Sequence, residues 1–230
     1  MDQSSDNRSK TAMAAVVLVV GLLVGGGIGY ATANNSDDTD MSMQSSVESK
    51  STDTKAAGLR VVLNNLEAEH VDLASAATRA GFDGSPMFEA SAGALDENSI
   101  ALSKTIGSVY GAEAEAKFLE IWRSHITFFV NYTVAAKAGD QAGMDKAVSD
   151  LNGYVSAISN LLGGATGLPV DAVASLVTEH VGLLKSAVDK HGAGDYAGSY
   201  AAQHEARDQI TTKIADTLAG AIVKQNPDKF

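Results

Sequence analysis

Three histidines stand in similar surroundings at equal intervals: His70 in LEAEHVDLA, His125 in IWRSHITFF and His180 in LVTEHVGLL, each 55 residues from the next. Imidazole titrates closest to neutral pH and, when neutral, is the commonest metal ligand. Repeated histidines therefore raise three readings. Neutral ring nitrogens converging on one site would hold copper or zinc, with His204 of YAAQHEARD as a fourth candidate ligand set against a plain surface role. Alternatively, histidine would ligate haem axially in a pocket walled by Trp122, Phe128, Phe129 and Tyr132 of the run FLEIWRSHITFFVNYT. The third is packing alone, one ancestral core histidine copied twice.

Other constellations carry less. Glu67 and His70 have the Glu-x-x-His spacing of bundle di-iron sites, but the corresponding positions before His125 and His180 are Trp122 and Val177. His191, in DKHGAGD, reads as a helix C-terminal residue interacting with the dipole. Met41 and Met43 form an MxM pair of the kind that suits Cu(I). There is no cysteine, so thiolate sites, iron–sulfur clusters and disulfides are excluded. No Gly-rich phosphate loop, HExxH or GxSxG occurs. A net charge of −11 argues against nucleic acid as a partner.

The elements that would carry the histidines read as helices, because apolar residues recur at steps of three and four from Leu59 onward. Breakers divide them into six, about 59–80, 93–110, 112–138, 140–163, 169–191 and 195–223, with Pro86 and Pro169 in loops. Aligned on the histidines, Leu66, Ile121 and Leu176 coincide, as do Leu73, Phe128 and Leu183. Each histidine thus falls on an apolar stripe and points inward. Gly139-Asp140 and Gly194-Asp195 match at one offset, where the first copy carries the longer loop AGFDGSPM. The second helices align at 56, with Asp96, Asn152 and Asp208 beside the stripe as solvated flank or as partners for the second ring nitrogens. The fold expected is all-α, a six-helix bundle of three repeated αα-hairpins. A linear stack would space equivalent helices ~8–10 Å apart and separate the imidazoles, whereas a closed arrangement would gather them.

Ahead of this domain, residues 1–11 are polar and carry Arg8 and Lys10, and AMAAVVLVVGLLVGGGIGY runs without a charge. As a helix that run covers roughly 28 Å, enough to cross a bilayer core. The expected organisation is a cytoplasmic tail (1–11), a single transmembrane anchor or signal peptide (12–33), a disordered tether (34–55) and an extracytoplasmic domain (56–230), oriented by the positive-inside rule. Gly21, Gly25 and Gly29 make two GxxxG steps able to pair anchors, so a second copy is one expected partner and an envelope protein another.

The runs LEAEHVDLA, ALDENS, GSVYG, FLEIWRSHITFFVNYT and LAGAIVKQNPDKF resemble those of uncharacterised exported bacterial all-helical proteins, some labelled copper-amine-oxidase-like, over about residues 59–230. That label implies a T-x-x-N-Y-D/E cofactor motif. Here Asn131-Tyr132 is followed by Thr133, and Thr127 lies one residue too far upstream. The expectation is therefore a membrane-anchored helical domain that binds copper, zinc or haem through core histidines. A structural or interaction module stands as the alternative and an enzyme comes third.

Overall fold

A computed structural model describes residues 52–230. The expected anchor, and the tether up to residue 51, fall outside them. Among the described residues there is no strand, and no helix is long and apolar enough to cross a membrane.

The helices are α1 (Lys55–Asp83), α2 (Phe88–Tyr110), α3 (Ala112–Ala138), α4 (Gln141–Thr166), α5 (Val170–Gly192), α6 (Tyr196–Gln209) and α7 (Asp216–Gln225), the last two joined without a break by a π-helical segment, Ile210–Ala215. Their starts follow local capping chemistry. The Thr54 hydroxyl accepts from Ala57 N–H, Asp140 caps α4 by accepting from Gly143 N–H, and Asp195 caps α6 by accepting from Gly198 N–H. Their ends use left-handed glycines: Gly84, Gly139 and Gly194 all have φ between 67° and 79°. After each glycine, the next residue's N–H reaches a carbonyl five residues back: Ser85 to Ala80, Asp140 to Ala135 and Asp195 to Lys190.

α1 is longer at both ends than the 59–80 of the sequence reading, and two other boundaries differ from it for identifiable reasons. α2 begins at Phe88 rather than near residue 93, because the residues after Pro86 have no need of the donor that proline lacks. α4 continues to Thr166 through Gly163-Gly164, a pair that reads as a breaker. Gly163 serves packing instead. A Cβ there would lie 2.9 Å from Val170 Cγ2 and 3.1 Å from the Leu168 carbonyl, so its absence lets the α4–α5 turn fold back against the helix.

Successive helices pack as neighbours, and the closure comes from α1. It touches α2, α3 and α5, and also α6, the π segment and α7. α3 and α5 meet as well, so the three histidine-bearing helices are in mutual contact. The main core is built from Leu63, Val71, Leu102, Trp122, Leu151 and Ile158 together with Ile210 and Ile222 of the final helix. Burying each aliphatic side chain of this kind contributes about 1.5–3 kcal/mol, which holds the helices in register around the centre.

Candidate functional site

His70 lies on α1, His125 on α3 and His180 on α5, and each is buried, at 1%, 4% and 7% exposure. Because the helices close around the centre, the three rings converge. His70 and His125 have ring centroids 5.4 Å apart and their Nε2 atoms 3.5 Å apart, while the His70 and His180 centroids are 6.4 Å apart. Trp122 fits against both, 4.9 Å from His70 and edge-on at 4.8 Å from His125, and Tyr154 of α4 stacks on His125 at 4.5 Å.

One tautomer follows from the hydrogen bonds. Gln209 donates its amide to the Leu176 carbonyl at 2.9 Å, which turns its Oε1 toward His180 Nδ1, 3.2 Å away. An oxygen only accepts, so His180 Nδ1 carries the proton and Nε2 presents a lone pair. That Nε2 is buried without a partner among the described residues. His70 Nδ1, Trp122 Nε1 and the Glu67 Oε2 are buried and unpartnered too, and His125 Nδ1 has no well-aligned hydrogen bond, only the nearby Trp122 backbone carbonyl of its own helix. Each would cost about 1–3 kcal/mol if nothing met it.

The site is uncharged at neutral pH. Burial lowers His125 to about 3, helped by the neighbouring His180 ring, with the Trp122 backbone carbonyl holding back part of the fall. Burial likewise lowers His180 to about 4, against the opposing pull of Gln209 and Glu179. His70 falls well below its ordinary value, through burial first and then the other two rings. Burial also pushes Glu67 up to about 8, and raises Tyr154, which further feels the Glu67 carboxyl. The centre therefore offers neutral imidazoles, a carboxylic acid and a phenol.

A cleft of about 550 Å³ reaches His70 and His125 from the α1–α2 loop end, walled by Phe82, Phe88, Phe129 and Leu184. Phe129 thus lines a cavity beside the histidines, as a cofactor wall would, and Trp122 touches the imidazoles directly. Tyr132 does not join them. It belongs to a separate small cluster with Ala147 and Val188 and donates its hydroxyl to Asp189 Oδ1 at 2.6 Å. His204 is also apart, 75% exposed and paired with Asp208 at 3.5 Å, because it falls on the outward face of α6. His191, in the last turn of α5, is buried and meets Asp83 Oδ1 at 2.8 Å, a tie between α5 and α1 rather than a contact with the helix end alone.

On the second helices, Asp96 pairs with Arg123 at 2.6 Å at the surface, and Asn152 and Asp208 lie exposed, so these three are flank. The groups that reach inward, Tyr154 and Gln209, were not singled out by the sequence. Counting back from the aligned Ile158 and Ile214 leads to their neighbourhood, but the two differ in type, so no repeated residue marks them. Among the described residues no three His, Asp or Glu side chains stand in a metal-ligating arrangement as placed. Compared with protein-family models, with curated proteins and with solved structures, the chain matches none.

Proposed function

We propose that this domain binds one transition-metal ion, copper or zinc, through Nε2 of His70 and His125, with His180 as the third ligand. The observation that carries the reading is the 3.5 Å between two buried Nε2 atoms. Two nitrogens each 2.0–2.1 Å from one ion, at a tetrahedral angle, stand about 3.4 Å apart, whereas a good hydrogen bond would be shorter than 3.5 Å. Burial keeps the imidazoles in the unprotonated, ligating form. Gln209 supplies the outer contact that fixes the tautomer of a ligating histidine. The His180 ring stands farther from His70 than His125 does, with centroids 6.4 Å against 5.4 Å apart, a gap that a side-chain adjustment would close. With three neutral ligands, monovalent copper is cheaper to bury than a dication. Haem is the less favoured cofactor, because Trp122 and Tyr154 occupy the space beside the imidazoles that a porphyrin would need.

The competing reading is a helical module whose histidines only pack, and the lack of three ligands in place favours it. Metal analysis separates them. The protein equilibrated with Cu(I) under reducing conditions, or with Zn(II), should retain about one ion per chain after dialysis and melt higher, since a ligand of the folded state stabilises it. His125→Ala should lose the ion and keep its helicity. A well-folded wild type that retains neither metal overturns the reading and leaves the packing module.

The domain is taken to be three diverged αα-hairpins held outside the cytoplasm by an anchor at residues 12–33. The matching left-handed caps at Gly84, Gly139 and Gly194, again 55 residues apart, support the repeat. The uncharged run and the basic residues ahead of it support the anchor, and its GxxxG steps suit a second copy. Protease added to intact cells should cut within residues 34–55 and release the domain. Protection of the domain would reverse the orientation.

A further inference from the structure

We propose that the cleft takes a single-chain amphiphile with an anionic head, a medium-chain fatty acid, its carboxylate on Arg79 and its hydrocarbon running inward along α1 toward His70. A metal ion plays no part in this binding.

Each of the other arginines within residues 52–230 has an aspartate: Arg60 pairs with Asp216, Arg123 with Asp96 and Arg207 with Asp72. Arg79, which is half-buried, has no carboxylate partner among the described residues. Its guanidinium carbon lies over the Tyr200 ring, 4.0 Å from the centre, and one N–H makes a long hydrogen bond of 3.4 Å to Ser199 Oγ. That hydroxyl is fixed by donating to the Ala187 carbonyl at 2.8 Å. Arg79, Ala187 and Ser199 all line the cleft. The tyrosine covers one face of the guanidinium and leaves its edge, where the remaining donors lie, for a carboxylate that it would grip through two parallel bonds.

The rest of the cavity suits a hydrocarbon tail. Apolar cavities far smaller than this one take up benzene, and about 550 Å³ is the size of a small-molecule site. Phe82, Phe88, Leu95, Phe129 and Leu184 supply apolar wall. Along α1 the lining extends from His70 to Gly84, roughly 21 Å at 1.5 Å per residue, with Arg79 roughly 14 Å from the inner end. A chain of medium length, such as decanoate, covers that distance with its carboxylate at Arg79.

The balance of charge at the opening favours an anion. A Cβ on Gly84, which lines the cleft, would stand 3.1 Å from Lys137 Nζ, so a second cation lies at the mouth, and it too pairs with no carboxylate among the described residues. Besides the imidazoles of the centre, two other ionisable side chains line the cavity. His191 already meets Asp83. Glu89 is exposed in the first turn of α2, where the helix N-terminus suits its charge, whereas Arg79 faces α6.

The test is a titration of the full chain, reconstituted in phosphatidylcholine vesicles with EDTA at pH 7, with 10-bromodecanoate and separately with 2-bromodecanoate. Bromine quenches tryptophan emission at close range, and Trp122, the sole tryptophan, stands against His70 at the inner end. The tail-labelled acid should quench saturably, and the head-labelled acid should displace it while quenching less. Arg79→Met should weaken binding at least about tenfold, the loss expected when bonds to a charged group are removed, and Arg79→Lys should recover most of it. Ala74→Phe should fill the cleft from α1 and abolish saturation with helicity unchanged. Val130→Phe, at a half-buried position on α3, should do the same from another wall. No saturable quenching, stronger quenching by the head-labelled acid, undiminished binding by Arg79→Met, or saturation that survives both phenylalanine substitutions would overturn the proposal.

Discussion

A histidine buried among hydrocarbon is held neutral, and what it does then depends on where its two nitrogens point. At His180 the answer rests on one amide. Gln209 is oriented by the Leu176 carbonyl and accepts from Nδ1, leaving Nε2 buried with an unused lone pair. Replacing Gln209 by Leu removes both contacts and leaves a buried donor and a buried acceptor unpaired. The expected loss is about 1–3 kcal/mol. In a domain of this size that is a fall of roughly 2–12 °C in melting temperature, read by circular dichroism. An unchanged melting curve would mean that the His180 tautomer is not set by this amide. On α2 the buried Asn98 donates to the Leu66 carbonyl as Gln209 does to Leu176, but it makes no hydrogen bond to His70, and His70 and His125 are the two of the three rings that line the cleft.

Among the elements, helix ends set how the hairpins turn. Gly139 adopts φ 67°, and a Cβ placed there meets nothing within 4 Å, so Gly139→Ala isolates the backbone cost of the left-handed conformation. That substitution should destabilise by about 1–2 kcal/mol. Gly182, inside α5 and equally open to a Cβ, is the matched control. Gly182→Ala should stabilise by about 0.4–1 kcal/mol, because it reduces the freedom of the unfolded chain without strain. Chemical denaturation of the two variants measures both signs. If they shift in the same direction, the cap geometry does not carry the turn. The final helix has a different irregularity, the π segment that begins directly after Gln209. Such widened turns occur often at functional positions, and this one lies where the helix carries the His180 partner and packs on α1.

The pH dependence of stability belongs to the whole molecule, because every buried titrating group contributes to it. His125 and His180, near 3 and 4 in the folded protein, take up protons on unfolding anywhere between those values and 6.5, and His70 acts in the same sense. Over that range the unfolded chain binds more protons, so stability falls as pH falls below 6.5. Glu67 acts oppositely. Folded, it keeps its proton up to about 8, while unfolded it loses it near 4.5, so its effect is a loss of stability as pH rises from 4.5 to 8. Three histidines outweigh one carboxyl below 6.5, and the carboxyl acts alone above it. The melting temperature should peak near pH 6.5. Glu67→Gln should remove the decline between pH 6.5 and 8 while leaving the acid limb. A decline that persists in this variant would assign it to another group.

Periodicity alone was enough to identify the helices, since steps of three and four from Leu59 onward permit no strand pattern, and the place of His70, His125 and His180 on the apolar stripe marked them as inward-facing. Helix ends were less legible. Gly163-Gly164 reads as a breaker until the close approach of Leu168 and Val170 explains it. Only tertiary structure could decide whether the histidines meet, because a linear stack and a closed ring share the same local sequence. Contact of α1 with α3, α5 and the final helix chooses the ring. The same closure separates His204 and Tyr132 from the site and brings in Tyr154 and Gln209, whose roles depend on facing a neighbour rather than on spacing along their own helix. The cleft is likewise a property of the fold, a volume left between helices that no single segment encodes.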